Sequence, residues 1–180
     1  NPAIIRSGLS VCIDRKPLIF AITRENWKEM GEIVLQSGCP VVVSAPGDLS
    51  LLRTLVRTLR EWGIEDMVLD PGTFHSENIG RTIHLFTAIR KTAIRNFDTL
   101  FGYPLLGTAI SVWNGQELSD DMNRWQEAYL ASMLITRYAD LLIMHSIEGW
   151  TLLPQLIWRF GLYTDPRKPV SVDPGVRTFG

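Results

Sequence analysis

Six residues in this chain have side chains suited to chemistry: Asp70, His75, Asn114, His145, Glu148 and Asp173. Carboxylates and imidazoles move or accept protons, and a carboxamide offers a donor and an acceptor together. Their setting repeats. Asp70 closes the apolar run "MVLDPG", and Asp173 closes "VSVDPG" with the same three residues. The stretch "HSIEGW" carries His145 and Glu148 close enough to share one turn. Proton transfer and hydrogen bonding to a ligand are the chemistries this set permits. Neither His75 nor His145 has a histidine four positions away, so the helical zinc-binding pair is missing. No G-x-S-x-G elbow, no G-x-x-x-x-G-K-[ST] loop and no G-x-G-x-x-G turn occurs. Hydrolase and nucleotide readings therefore lose their usual supports.

The elements that must position these residues follow from an alternation. Six apolar runs, at 17–23, 40–46, 66–72, 103–111, 140–146 and 169–175, are aliphatic on consecutive positions. Strands covered on both faces read that way, as in parallel sheets. Segments of helical period separate them. In "GDLSLLRTLVRTLREWG", Leu52, Leu55, Val56 and Leu59 form one face, Asp48 or Ser50 caps the start and Gly63 follows the end. Arg53, Arg57 and Arg60 are expected on a solvated face. Further helices are expected after residue 25, near 77–95, 119–138 and 149–160. The opening "NPAIIRSGLSVCI" reads as a helix with Asn1 as cap and Pro2 at the first helical position.

A βαβα pattern argues for a parallel α/β fold, either an open doubly wound sheet or a (β/α) barrel. In both, function collects at the carboxyl ends of the strands. Asp-Pro-Gly there places a carboxylate at the mouth, proline stops the ladder and glycine turns the chain away. Other polar residues at those ends are Thr23, Asn26, Ser44, Asp48, Thr108 and Ser111, with Arg24 as the only nearby cation. A mouth so poor in cations is a weak phosphate site.

Composition narrows the classes. The chain has 180 residues, 46% of them apolar, and a formal net charge of −1. That suits one domain with a real core and gives no broad attraction to nucleic acid or anionic membrane. The uncharged run from Thr99 to Gln116 contains Pro104 and three glycines and makes a poor membrane span. No signal peptide opens the chain, so a cytoplasmic location is expected. Cys12 and Cys39 read as reduced structural thiols. Two cysteines cannot hold an iron–sulfur cluster, which ordinarily takes four thiolates.

Long stretches carry a resemblance. "KPLIFAITRENWKEM", "CPVVVSAPGDLSLLRTLV", "GIEDMVLDPGTF", "RYADLLIMHSIEGWTLLP" and "YTDPRKPVSVDPGVRTFG" resemble the large (gamma) subunit of the corrinoid iron–sulfur protein. That protein belongs to the acetyl-CoA synthase/CO dehydrogenase system, also called acetyl-CoA decarbonylase/synthase. The resemblance implies a TIM-type (β/α) barrel, here partial. It would hold about six β/α units in one domain over residues 1–180, with the N-terminal strands missing. It implies a role in methyl transfer between a methyl-tetrahydrofolate or pterin methyltransferase and acetyl-CoA synthase, mainly as scaffold. It implies a corrinoid and a [4Fe-4S] cluster for the full-length protein. This chain is expected to hold no cofactor, because it lacks clustered cysteines and any D-x-H-x-x-G signature. The implied partners are the small (delta) subunit, itself a barrel, the methyltransferase and acetyl-CoA synthase. The alternative is a free-standing pterin-binding methyltransferase barrel, with Asp70, Asn114 and Asp173 facing the pterin. Unpaired strand edges in a partial barrel predict a homodimer or instability in isolation.

Overall fold

A computed structural model describes residues 1–114 and 118–161. Helix α1 (Pro2–Cys12) opens the chain, and the Asn1 side chain accepts a hydrogen bond from the Ala3 N–H as its cap. There follow β1 (Ile19–Ile22), α2 (Trp27–Ser37), β2 (Val41–Ser44), α3 (Leu49–Glu61) and β3 (Met67–Asp70). Next come α4 (Ile79–Arg95), β4 (Leu106–Thr108), α5 (Asp120–Thr136), β5 (Leu141–Ile143) and α6 (Gly149–Phe160). Short 3₁₀ turns at Ser76–Asn78, Thr99–Phe101 and Ala109–Trp113 prepare or follow the strands. The predicted run at 169–175 lies outside the described residues.

All strand pairings among the described residues are parallel. Ser44 stands opposite Asp70 in the β2–β3 register, and Leu106 stands opposite Leu141 in the β4–β5 register. The three-stranded sheet β1–β2–β3 and the two-stranded sheet β4–β5 meet through one bridge, Leu69 to Leu105. There the Leu69 N–H donates to Pro104 O at 2.8 Å. Spatial order thus follows chain order without the reversal of a doubly wound sheet. The sheet does not close on itself among the described residues, so the expected barrel is not a closed one here.

The two faces of the sheet differ. Val41, Val43, Met67, Leu69 and Leu105 join one large core with buried residues of α1 to α5. Val42, Val68 and Leu106 form a second, small cluster with Ala21, to which no helix contributes. Side chains alternate along a strand, so Val42 and Ser44 share a face, as do Val68 and Asp70. The helices therefore lie on one side. The other side is apolar in its middle and polar at the carboxyl ends. Helix α5 approaches closely at Gly107, where a Cβ would stand 2.9 Å from Leu134 Cδ1.

The arginine row of α3 is not simply solvated. Arg53 Nε pairs with Asp98 at 2.8 Å and Arg60 donates to Thr99 at 2.9 Å. These contacts fasten α3 to the turn that leads into β4. The Asp48 side chain accepts from Leu51 N–H at 2.9 Å, so it is the cap of α3.

Candidate functional site at the carboxyl ends of the strands

Asp70 ends β3 and is only 4% exposed. Its Oδ2 accepts from the Ser44 hydroxyl at 2.7 Å, and its Oδ1 accepts from the Gly72 N–H at 2.9 Å. Burial raises its pKa above the ordinary carboxylate range, although both hydrogen bonds work the other way. Asp-Pro-Gly is thus a built turn. Gly72 has φ +90°, and a Cβ there would lie 2.8 Å from Pro46 Cα. Only glycine fits both demands. Asp70 lies under the mouth as a latch between β2 and β3, with both oxygens engaged.

His75 and Asn114 do meet at the mouth. Both line an open polar cavity of about 510 Å³, together with Thr73, Glu77, Asn78 and Ser111. Its walls are held from behind. The Thr73 hydroxyl accepts from the Thr108 N–H at 2.9 Å, which ties the β3 exit to β4. Thr82 on α4 bonds both the N–H and the carbonyl of Phe74, at 2.7 and 2.8 Å. The Ser111 hydroxyl is buried in the wall without a hydrogen-bond partner.

His145 and Glu148 stand on the connection from β5 to α6, and no hydrogen bond joins them. The His145 ring meets Trp113 edge-on, with centroids 4.3 Å apart. Glu148 pairs with Arg124 Nε on α5 at 3.1 Å. What sets this connection is Glu127, fully buried on α5. One of its oxygens accepts from the His145 N–H and the other from the Ser146 N–H, the latter at 2.9 Å. Sequence reasoning missed Glu127. The available signal was its place on the buried stripe with Asn123, Leu130, Ala131 and Leu134, a carboxylate where the helical period predicts an apolar residue.

The mouth is also less poor in cations than expected. Arg81 lies over the Phe74 ring, 4.5 Å from its centroid, and donates to Gly47 O at 3.4 Å. Asp173 lies outside the described residues, so its likeness to Asp70 rests on the repeated Asp-Pro-Gly alone. Among the described residues no group of three or more His, Cys, Asp or Glu is arranged to hold a metal ion. No helix among them is long and apolar enough to cross a membrane.

The sequence profile described as CO dehydrogenase/acetyl-CoA synthase delta subunit matches residues 1–180. Similar proteins include the acetyl-CoA decarbonylase/synthase complex subunit gamma of Methanothermobacter thermautotrophicus, 44% identical over 98% of this chain and 38% of that protein. Subunit gamma 1 of Methanosarcina thermophila is 41% identical over the whole chain and 38% of its own length. Subunit gamma of Methanopyrus kandleri is 37% identical, with the same coverage. The chain spans well under half the length of the relatives it matches. The profile carries the name of one subunit and the relatives that of another.

Proposed function

This chain belongs to the CO dehydrogenase/acetyl-CoA synthase delta subunit family, and from that membership we propose that it is the barrel portion of a gamma-type subunit, the corrinoid iron–sulfur protein, acting in methyl transfer. It serves as scaffold and interaction surface. Its mouth faces the corrinoid or a partner barrel, and cobalt carries the methyl group between a methyl-pterin methyltransferase and acetyl-CoA synthase. The partners are other subunits of the complex, among them a delta-type barrel.

The observation that carries this reading is the winding among the described residues: five parallel strands in chain order with helices on one face only. That is the winding of a (β/α) barrel, and it supports a partial barrel. The mouth residues favour positioning over bond chemistry. Asp70 is engaged through both oxygens, and Glu127 spends both of its own on backbone N–H groups. An iron–sulfur cluster does not fit this chain, because Cys12 stands on α1 and Cys39 is buried just before β2. A corrinoid held by the full-length subunit would supply the methyl-accepting cobalt, and the mouth residues His75, Ser111 and Asn114 would face it.

The rival reading, a methyltransferase complete in itself, is separable by experiment. The purified chain is mixed with methyl-tetrahydrofolate and free cob(I)alamin, and the visible spectrum is followed. A scaffold leaves the cobalt(I) spectrum unmethylated, whereas catalytic conversion to methylcobalamin overturns the reading.

A further inference from the structure

One aromatic side chain stands where neither packing nor backbone preference explains it. Phe97 lies in the turn from α4 to β4, at the amino ends of the strands and opposite the mouth. It is 85% exposed, the most exposed aromatic among the described residues. Its φ is +52°. A helix that ends on a left-handed residue ordinarily has glycine there, because a Cβ strains that conformation. The backbone holds Phe97 from both sides. Before it, the Asn96 N–H donates to Thr92 O at 3.1 Å. After it, the Asp98 carboxylate accepts from the Leu100 N–H at 3.1 Å and pairs with Arg53 on α3. A phenyl ring is thus presented to water against both strain and apolar exposure. Strain of this kind persists where the surroundings over-determine it, and it collects at functional positions.

The surroundings of Phe97 carry one sign of charge. Lys91, Ile94 and Arg95 fall on one outward stripe of α4, and Ile94 is 65% exposed. Arg57 stands one turn beyond Arg53 on α3. Arg137 closes α5 beside Tyr138, whose carbonyl accepts from Arg90 of α4. Among the described residues, Lys91, Arg95, Arg57 and Arg137 form no ion pair. An aromatic anchor inside a rim of cations is how a protein interface is built around a hot spot. We propose that the α4–β4 turn docks an acidic protein surface, one with an apolar pocket for Phe97 rimmed by Asp and Glu. The same end of the molecule disfavours a membrane or a nucleic acid. Glu61, Glu65 and Asp66 are exposed around the α3–β3 turn, and the formal net charge is −1. An extended anionic surface meets both signs there, whereas a protein pocket engages the α4–β4 turn alone. This surface is independent of the mouth and of what that end binds.

The test is lysine footprinting. The full-length protein is purified from its source cells with the subunits that accompany it, and this chain is purified alone. Both are acetylated briefly, and modification of Lys91 is read by mass spectrometry relative to Lys28. Lys91 is expected to react about tenfold more slowly in the assembly, and more quickly again in high salt. A carbodiimide, which couples an amine directly to a carboxylate, is expected to join Lys91 to an Asp or Glu of another chain. Phe97→Gly relieves the strain, so it raises the thermal midpoint by about 2–4 °C while abolishing the protection of Lys91. A purely structural role does not move stability and docking in opposite directions. Arg95→Glu, on the exposed stripe, keeps the fold and weakens the protection by about tenfold. Lys91 as reactive in the assembly as in the chain alone overturns the proposal. So does protection that survives Phe97→Gly, a Phe97→Gly midpoint below that of the parent, or a Lys91 link to a carboxylate of its own polypeptide. Protection lost to nuclease or to detergent assigns the surface to nucleic acid or lipid and overturns it as well.

Discussion

Asp70 shows how a residue that looks catalytic serves as structure. Its carboxyl is buried, and burial raises its pKa. The unfolded chain therefore ionises Asp70 first as pH rises. The stability it contributes falls as pH climbs from the ordinary carboxylate range through the folded-state value, and returns on acidification. Asp70→Asn keeps an acceptor for the Gly72 N–H and offers an N–H to Ser44 without the charge. Its stability relative to the parent is expected to be greatest at neutral pH and to shrink toward pH 4 in urea unfolding followed by circular dichroism. An advantage that grows on acidification would contradict this. Asp70→Ala strands the Gly72 N–H and the Ser44 hydroxyl, and is expected to cost ~1–3 kcal/mol near pH 4 and less at neutral pH, where the parent carries the buried charge. Gly72→Ala must force a Cβ against Pro46 at positive φ. It is expected to cost at least ~2 kcal/mol, read as a lowered thermal midpoint. A midpoint unchanged from the parent would show that the turn relaxes.

At the scale of the element, the connection from β5 to α6 is held by one side chain. Glu127→Gln puts an amide N–H against a backbone N–H, so one of the two bonds is lost and a donor faces a donor. The expected cost is ~1–3 kcal/mol, with faster hydrogen exchange at His145 and Ser146 and little change in β2 or β3. Uniform exchange across the sheet would mean that Glu127 is not a local clamp. The helices and strands were legible because their periods differ and their caps are local: Asn1, Asp48 and Ser119 accept from the N–H groups that follow them. The site was legible only in part. The place of His75 and Asn114 at the mouth was legible because they follow strands. Glu127 and Arg81 were not, because each reaches the mouth from a helix, and the partner it needs is distant in sequence. The pairing of Ser44 with Asp70 depends on strand register, which no local pattern encodes.

For the whole molecule, the working surface is set by what remains uncovered. Leu141 and Ile143 on β5 are 40% and 37% exposed, and Phe20 on β1 is 54% exposed. Helix α6 adds Trp150, Leu153, Leu156, Trp158 and Phe160, all exposed. A helix apolar on so many sides is ordinarily buried, and exposed apolar area on this scale marks association. The chain alone is therefore expected to self-associate, giving a light-scattering mass above its own 20.4 kDa that falls on dilution. A concentrated, monodisperse monomer would contradict it. The central claim concerns methyl transfer, and the most direct measurement uses the complete gamma-type subunit of a relative, with and without the segment equivalent to this chain. Methylation of its cobalt by methyl-tetrahydrofolate and the methyltransferase is followed by visible absorbance. The account predicts that the corrinoid spectrum survives removal of the segment while the transfer rate falls by about 100-fold or more, the loss expected when positioning fails. Transfer at an unchanged rate without the segment would contradict it.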